Sequence, residues 1–277
     1  MNWTPYLRKM DTSCLKNKVA LVTGGASGIG LAFCWELAGQ GTWIAMLDMD
    51  DKALEVQRQT FSDQGYKILT IACDVTKEAA CNAAINKVLD EFGKVDILFN
   101  NAGITQRGLF ENTGINVFKK VMDVNFFGSL YCTKAALPHL IQTKGIIIVN
   151  ESIAGVAPLL GRTGYSASKH ALHGLFTSLR CELRNKGVHV MIVCPGFIRT
   201  NLQTRALGFD GKIATHEQTM VGKEDTPENV AKQIVKGILK KESILVLTFM
   251  GKLGYLVSRL SPLLYEYIMT HKFRKEL

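Results

Sequence analysis

No stretch of the 277 residues stays apolar for the roughly 18 positions that a membrane-crossing helix needs. Residues 1–15 likewise hold no apolar run of signal-peptide length. The seven cysteines (Cys14, Cys34, Cys73, Cys81, Cys132, Cys181 and Cys194) are odd in number and contain no C-x-x-C pair. Several sit inside apolar segments, as small buried hydrophobes do in a reducing compartment. A cytoplasmic location is therefore expected. The net charge of +9 is not gathered into a patch. Basic residues are dense only at Arg8-Lys9, Lys119-Lys120, Lys240-Lys241 and the last few positions. That lacks the clustered, aromatic-interleaved pattern of a nucleic-acid surface, so no nucleic-acid partner is expected. No metal is expected either. Proline is scarce, at 6 against 25 glycines, which suits a chain rich in tight strand-to-helix turns. With 47% hydrophobic residues the chain can bury a large core, as one α/β domain or two small ones.

What is present is an alternation of apolar strands and helices. Lys18–Thr23 reads as a buried strand running into Gly24-Gly25-Ala26-Ser27-Gly28-Ile29-Gly30 and then a helix. Strand, glycine turn, helix is the context of a phosphate site, because glycines admit a pyrophosphate and the helix start offers free N–H groups. The spacing is G-x-x-x-G-x-G, not the standard G-x-G-x-x-G. The next strand, Trp43–Leu47, ends on Asp48, eighteen residues past Gly30. An acid there accepts from the adenosine ribose hydroxyls and repels a 2′-phosphate. The competing role for Asp48 is a cap on the following helix. No Arg or Lys stands in the glycine turn or directly after Asp48, so NAD is expected rather than NADP.

The pattern repeats with a helix over Lys52–Gln64, a strand over Lys67–Ala72 leading to Asp74, and a helix over Lys77–Phe92. A strand over Val95–Phe99 ends in Asn100-Asn101-Ala102-Gly103. Strands that do not alternate in polarity argue for a parallel sheet with helices on both faces, whose ligands sit at the strands' carboxyl ends. Asp48, Asp74 and Asn101 all fall there. A long helix is expected over Phe118–Leu140 with Asn125 inside an apolar run, where a buried amide must find partners. Strands Gly145–Asn150 and Val188–Val193 follow, then a polar loop over Asn201–Asp225 of the kind that often serves as a lid. Thr226 should cap the next helix, with Pro227 in its first turn.

Tyr165 and Lys169 are four apart, so on a helix they share a face. An ammonium about 4 Å from the phenol would favour phenolate by roughly 4 kcal/mol at an effective dielectric of about 20. That is about three pKa units, enough to bring a tyrosine toward working pH, where a general acid/base acts best.

Thr23-Gly24-x-x-x-Gly28-x-Gly30, Asn100-Asn101-Ala102-Gly103, Asn125, Ser152, Tyr165-x-x-x-Lys169 and Pro195-Gly196 together resemble the ordered motif set of the short-chain dehydrogenase/reductase family. The resemblance covers residues 16–247. It implies a single doubly wound, Rossmann-type domain with a seven-stranded parallel sheet over residues 1–249. By the same resemblance Tyr165 is the general acid/base, Lys169 lowers its pKa and bonds the nicotinamide ribose, Ser152 orients the substrate oxygen, and Asn125 holds a water that links Lys169 to solvent. The implied cofactor residues are Gly24, Ser27, Gly28, Ile29 and Gly30 in the turn; Asp48, Asp74 and Val75 after the next strands; Asn101, Ala102 and Gly103; and Pro195, Gly196, Ile198 and Thr200 near the nicotinamide, with Tyr165 and Lys169. One departure is Glu151, where the family often has serine. Family members are commonly homodimers or homotetramers built on the helices carrying Asn125 and Tyr165.

The stretch Ile153–Gly164, apolar apart from Arg162, points to a lipophilic alcohol or ketone of steroid, retinoid or fatty-acyl type. The alternatives are an NADPH-linked carbonyl or 3-ketoacyl reductase and, in another class, a catalytically silent nucleotide-binding scaffold. Residues 250–277 read as an amphipathic helical extension broken at Pro262. Its stripe of Leu253, Leu256, Val257, Leu260, Leu263, Leu264, Tyr267 and Ile268 is expected to pack on the body, a neighbouring subunit or a membrane surface.

Overall fold

The computed structural model describes residues 11–215 and 224–274. Its strands are β1 (Val19–Thr23), β2 (Trp43–Asp48), β3 (Ile68–Ala72), β4 (Ile97–Asn100), β5 (Ile146–Asn150), β6 (His189–Cys194) and β7 (Ile244–Val246). They form one parallel sheet in the order β3-β2-β1-β4-β5-β6-β7. The order reverses between β1 and β4, which opens a crevice at the carboxyl ends of those two strands. Short apolar strands, the central ones buried on both faces, dictate this arrangement. Val19, Leu21, Ala45 and Leu47 point into one layer with Ile85, Cys132, Leu140 and Phe176. Ala20, Val22, Ile44 and Met46 point into the other with Phe33, Leu37, Val230 and Ile234.

The helices flanking the sheet are α1 (Gly28–Ala38), α2 (Asp51–Asp63), α3 (Glu78–Phe92), α4 (Ile115–Met122), α5 (Gly128–Thr143), α6 (Thr163–Glu182), the short α7 (Asn201–Thr204) and α8 (Pro227–Leu239). Thr226 caps α8 by accepting from Asn229 N at 3.2 Å, with Pro227 in the first turn. The expected single helix over 118–140 is instead α4 and α5 joined by a π turn at Asp123–Phe127. Asn125 lies inside that turn, the usual setting for a local bulge at a functional position. The expected loop from Asn201 is also more ordered than its polarity suggested. After α7, Leu207 N donates to Thr105 O at 2.9 Å and Leu207 O accepts from Arg107 N at 2.7 Å. The rest of the expected lid, 216–223, lies outside the described residues.

The C-terminal extension forms α9 (Phe249–Leu260) and α10 (Pro262–Lys272), broken at Pro262. Most of the stripe read from the sequence is not set against the body. Tyr265, Phe273 and Gly251 are buried, Tyr265 Oη donates to Pro158 O at 3.1 Å, and Ser258 Oγ donates to Val156 O at 3.1 Å. Leu253, Leu256, Leu260, Leu263, Leu264, Tyr267 and Ile268 are exposed, Leu260 and Leu263 by more than three quarters. Among the described residues, no helix is long and apolar enough to cross a membrane.

Candidate active site

The glycine turn is shaped by contacts that only glycine permits. Gly24 and Gly28 sit at φ +61° and +55°, where side chains are strained. At Gly30 a Cβ would overlap the carbonyl oxygen of Gly24 and come within 2.6 Å of Asn101 Nδ2. Asn101 Nδ2 donates to Thr23 O and Gly24 O, both at 3.0 Å, and so ties the end of β4 to the turn. Thr23 Oγ1 accepts from Asn101 N and Ala102 N at 3.0 Å. Ser27 stands at the N-cap of α1 without a side-chain cap bond, leaving the first-turn N–H groups to an anion.

Asp48 does not cap α2; Asp50 does, accepting from Ala53 N at 3.0 Å. Asp48 instead turns back over the glycine loop. Its Oδ2 accepts from Ala26 N at 3.1 Å and its Oδ1 accepts from Met49 N at 2.8 Å. Asp74, beyond β3, is held by Thr76, whose N and Oγ1 donate to its Oδ1 at 3.0 and 2.8 Å. Val75 is buried against Gly128. These residues follow the carboxyl ends of β1, β2 and β3, and the glycines and helix-start N–H donors fit a dinucleotide cofactor there.

A pocket at the carboxyl end of β4–β6 gathers Ile29, Asn101, Gly103, Ser152, Tyr165, Lys169, Pro195, Gly196, Ile198 and Thr200. Its volume is about 90 Å³. Lys169 Nζ donates to Asn150 O at 2.7 Å, and Asn150 Nδ2 donates to Asn101 Oδ1 at 2.9 Å. One hydrogen-bonded chain therefore joins the glycine turn to the buried lysine. Asn125 is fully buried beside the pocket rather than in its wall. Its Oδ1 accepts from Ile104 N at 2.8 Å, and its Nδ2 donates to Ile104 O at 3.0 Å and Ser168 Oγ at 2.9 Å. The amide is thus spent on clamping the loop that follows Gly103, where a Cβ would sit 3.2 Å from Asn125 Oδ1 and 3.6 Å from Lys169 Nζ.

The electrostatics correct the expectation for the tyrosine. Lys169 Nζ lies 5.7 Å from the Tyr165 ring centroid and is bonded to Asn150 O. Burial raises the Tyr165 pKa, while a hydrogen bond with Ser152 and the charge of Arg162 hold it down and Glu151 pushes it up. Lys169 is itself lowered to about 8 by burial, with Glu151 acting to raise it. Two charged residues of this neighbourhood were given no role by sequence: Glu151 and Arg162, both buried. Their signal was present, as charges inside otherwise apolar stretches on either side of Ser152 and Tyr165. Of the apolar segment Ile153–Gly164, only Ile153, Leu159 and Arg162 reach the pocket. Val156 and Pro158 instead anchor the tail through their carbonyls.

The sheet order, the glycine crevice and the Ser-Tyr-Lys pocket define a dinucleotide-binding oxidoreductase fold. Residues 18–208 match the family model described as short chain dehydrogenase. The rat protein "Dehydrogenase/reductase SDR family member 7B" is 33% identical, with 97% of this chain aligned to 85% of that one. The Arabidopsis thaliana "11-beta-hydroxysteroid dehydrogenase-like 2" is also 33% identical, over 97% of this chain and 88% of its own. A short-chain dehydrogenase structure from Streptomyces avermitilis superposes with a TM-score of 0.78 at 28% identity, over 93% of this chain and 98% of that one. A Burkholderia phymatum short-chain dehydrogenase/reductase in complex with NAD shares the fold at a TM-score of 0.81 and 24% identity, over 90% of this chain and 95% of its own. The chain belongs to the short-chain dehydrogenase/reductase family. It is an oxidoreductase enzyme of the nicotinamide-cofactor type.

Proposed function

We propose that the protein interconverts a lipophilic secondary alcohol and its ketone with NAD rather than NADP. The observation that carries the cofactor choice is Asp48, whose carboxylate is drawn over the glycine turn by Ala26 N and is not used as a helix cap. A carboxylate there favours ribose hydroxyls and repels a phosphate on the 2′ position. The nearest downstream cation, Lys52, is exposed on α2.

The roles follow from placement. Tyr165 Oη takes the proton of the carbinol oxygen in oxidation and returns it in reduction. The Ser152 hydroxyl, bonded to Tyr165, orients that oxygen and stabilises charge on it. The Lys169 ammonium, fixed on Asn150 O, adds positive charge on the same helix face and would bond the nicotinamide ribose of a bound cofactor. The nicotinamide supplies or accepts the hydride when bound. Asn125 clamps Ile104 beside Gly103 and Lys169 and is assigned the role of holding a water that would link Lys169 to solvent.

The lipophilic class is supported by a second cavity of about 560 Å³ between the body and α9–α10. It shares Ile153, Leu159, Gly196 and Phe197 with the small catalytic pocket; Leu247, Phe249, Met250, Ile268, Met269 and Phe273 give it an apolar side, opposite a polar one of Glu224, Asp225, Asn229 and Gln233. A pocket of 90 Å³ holds a carbinol and little more, while 560 Å³ is an ordinary size for an extended organic ligand. The relative named for 11-beta-hydroxysteroid chemistry fits the same class. The outer face of α9–α10, apolar and flanked by the exposed Lys252, Arg259, Lys272 and Arg274, is assigned to contact with an anionic membrane surface. Assembly as a homodimer or homotetramer would use the helices of Asn125 and Tyr165.

Calorimetric titration with NAD⁺ and NADP⁺ tests the reading. Wild type should prefer NAD⁺, and Asp48→Ala should weaken NAD⁺ about 10- to 100-fold, the worth of a hydrogen bond to a charged group. A wild-type preference for NADP⁺ would shift the assignment to carbonyl reduction, and binding of neither would leave a silent scaffold.

A further inference from the structure

Glu151 is a charge built into the catalytic neighbourhood. Its backbone N donates to Val193 O at 2.9 Å, locking it between β5 and β6, and its side chain is fully buried. Oε2 lies 3.1 Å from His173 Nδ1, while Oε1 has no hydrogen-bond partner. A Cβ on Gly155 would overlap that Oε1, so the next turn of chain is a glycine where the carboxylate needs room. Tyr165, Lys169 and His173 follow each other at intervals of four on α6 and share one face. The carboxylate therefore sits on a rail whose other two members are the catalytic pair. Lys169 Nζ bonds the carbonyl of Asn150, the residue directly before Glu151.

We propose that Glu151 is a positioning residue of this site: tethered by His173, its buried carboxylate acts on Lys169 and Tyr165 together and so sets the pH window in which the pair exchanges protons. This rests on the acid/base role of Tyr165 given above. The groups facing the carboxylate are His173, His170, Lys169 and Tyr165 from α6 and Cys194 from β6, with Arg162 adding charge at Tyr165. Burial disfavours the carboxylate, and His173, Lys169 and His170 work against that penalty. The sign of the effect is the same at both catalytic groups. A negative charge raises the proton affinity of the Lys169 amine, which burial alone would leave still lower, and it raises that of the Tyr165 phenol. Deleting the charge without changing the shape must therefore move both limbs of the pH–rate profile toward acid.

The test compares wild type, Glu151→Gln and Glu151→Asp in kcat/KM against pH for alcohol oxidation with the preferred nicotinamide cofactor. Glu151→Gln should shift both limbs to lower pH by on the order of one unit, a tenfold change in proton concentration. Glu151→Asp restores the charge and should return the limbs toward their wild-type positions, whatever it does to the maximal rate. A purely structural glutamate would lower the rate uniformly and leave the limbs in place. Limbs unmoved in Glu151→Gln would overturn the proposal and show a carboxyl that stays protonated throughout. A second readout does not need turnover: tyrosinate absorbance against pH, taken as the difference between each protein and its Tyr165→Phe counterpart. The midpoint should fall in Glu151→Gln, and an unchanged midpoint would again overturn the proposal. Absence of any alcohol oxidation would sink the proposed function, while this titration still decides the role of Glu151.

Discussion

Gly30→Ala sets two physical rules against each other inside one residue. Gly30 is the third position of α1, and by helix propensity alone alanine should stabilise the protein by about 1 kcal/mol. The packing says the opposite. The added methyl would overlap the carbonyl oxygen of Gly24 and meet Asn101 Nδ2 at 2.6 Å. Gly24 is held by its left-handed turn, so the backbone atom cannot yield cheaply. Relief must come from Asn101, which would then lose its bonds to Thr23 O and Gly24 O, worth about 1 kcal/mol each. Overpacking adds about 1–3 kcal/mol. The net expectation is a destabilisation of roughly 2–4 kcal/mol, together with a loss of NAD⁺ affinity as the turn deforms. Urea unfolding gives the first quantity and calorimetric titration the second. Gly254→Ala is the control, since a methyl there meets only Tyr265 Cε2 at 3.7 Å and should add about 1 kcal/mol of stability. A Gly30→Ala protein as stable as wild type, binding NAD⁺ equally well, would refute the account of why the turn carries glycine.

Two further expectations concern the C-terminal helices. In a series of secondary alcohols of increasing length, each methylene entering the apolar chamber should raise kcat/KM about fourfold. Met269→Trp should flatten that rise while sparing NAD⁺ affinity and the shortest substrates, and an unchanged slope would remove the chamber from the substrate site. In liposome flotation, the full-length protein should rise with anionic vesicles and a form truncated at Gly251 should not. Equal partitioning of the two would remove the membrane contact.

The sheet was legible because its strands are short apolar runs, most of them closed by glycine, asparagine or aspartate, and such runs alternating with helices argue for a parallel sheet. Sequence spacing also placed Tyr165 and Lys169 on one face, but it carried no information about what the ammonium would bond. Asn150 O competes for Lys169 Nζ at 2.7 Å, and that contact depends on how β5 meets α6, two elements brought together only by the fold. The π turn at Asn125 was hidden for a similar reason, since the partner its amide clamps, Ile104, lies twenty-one residues upstream. Glu151 stood out in the sequence as a substitution without a role, because its partner His173 lies twenty-two residues away and becomes a neighbour only when α6 crosses behind β5. The tail shows the limit most clearly. Periodicity identified an apolar stripe on α9–α10, yet a stripe says nothing about which surface covers it. The body is held by Tyr265, Ser258, Gly251 and Phe273 on another face. The same pair of helices thus closes an apolar chamber beside the catalytic pocket with one face and offers exposed leucines with the other, an arrangement suited to receiving a lipophilic substrate from a membrane surface.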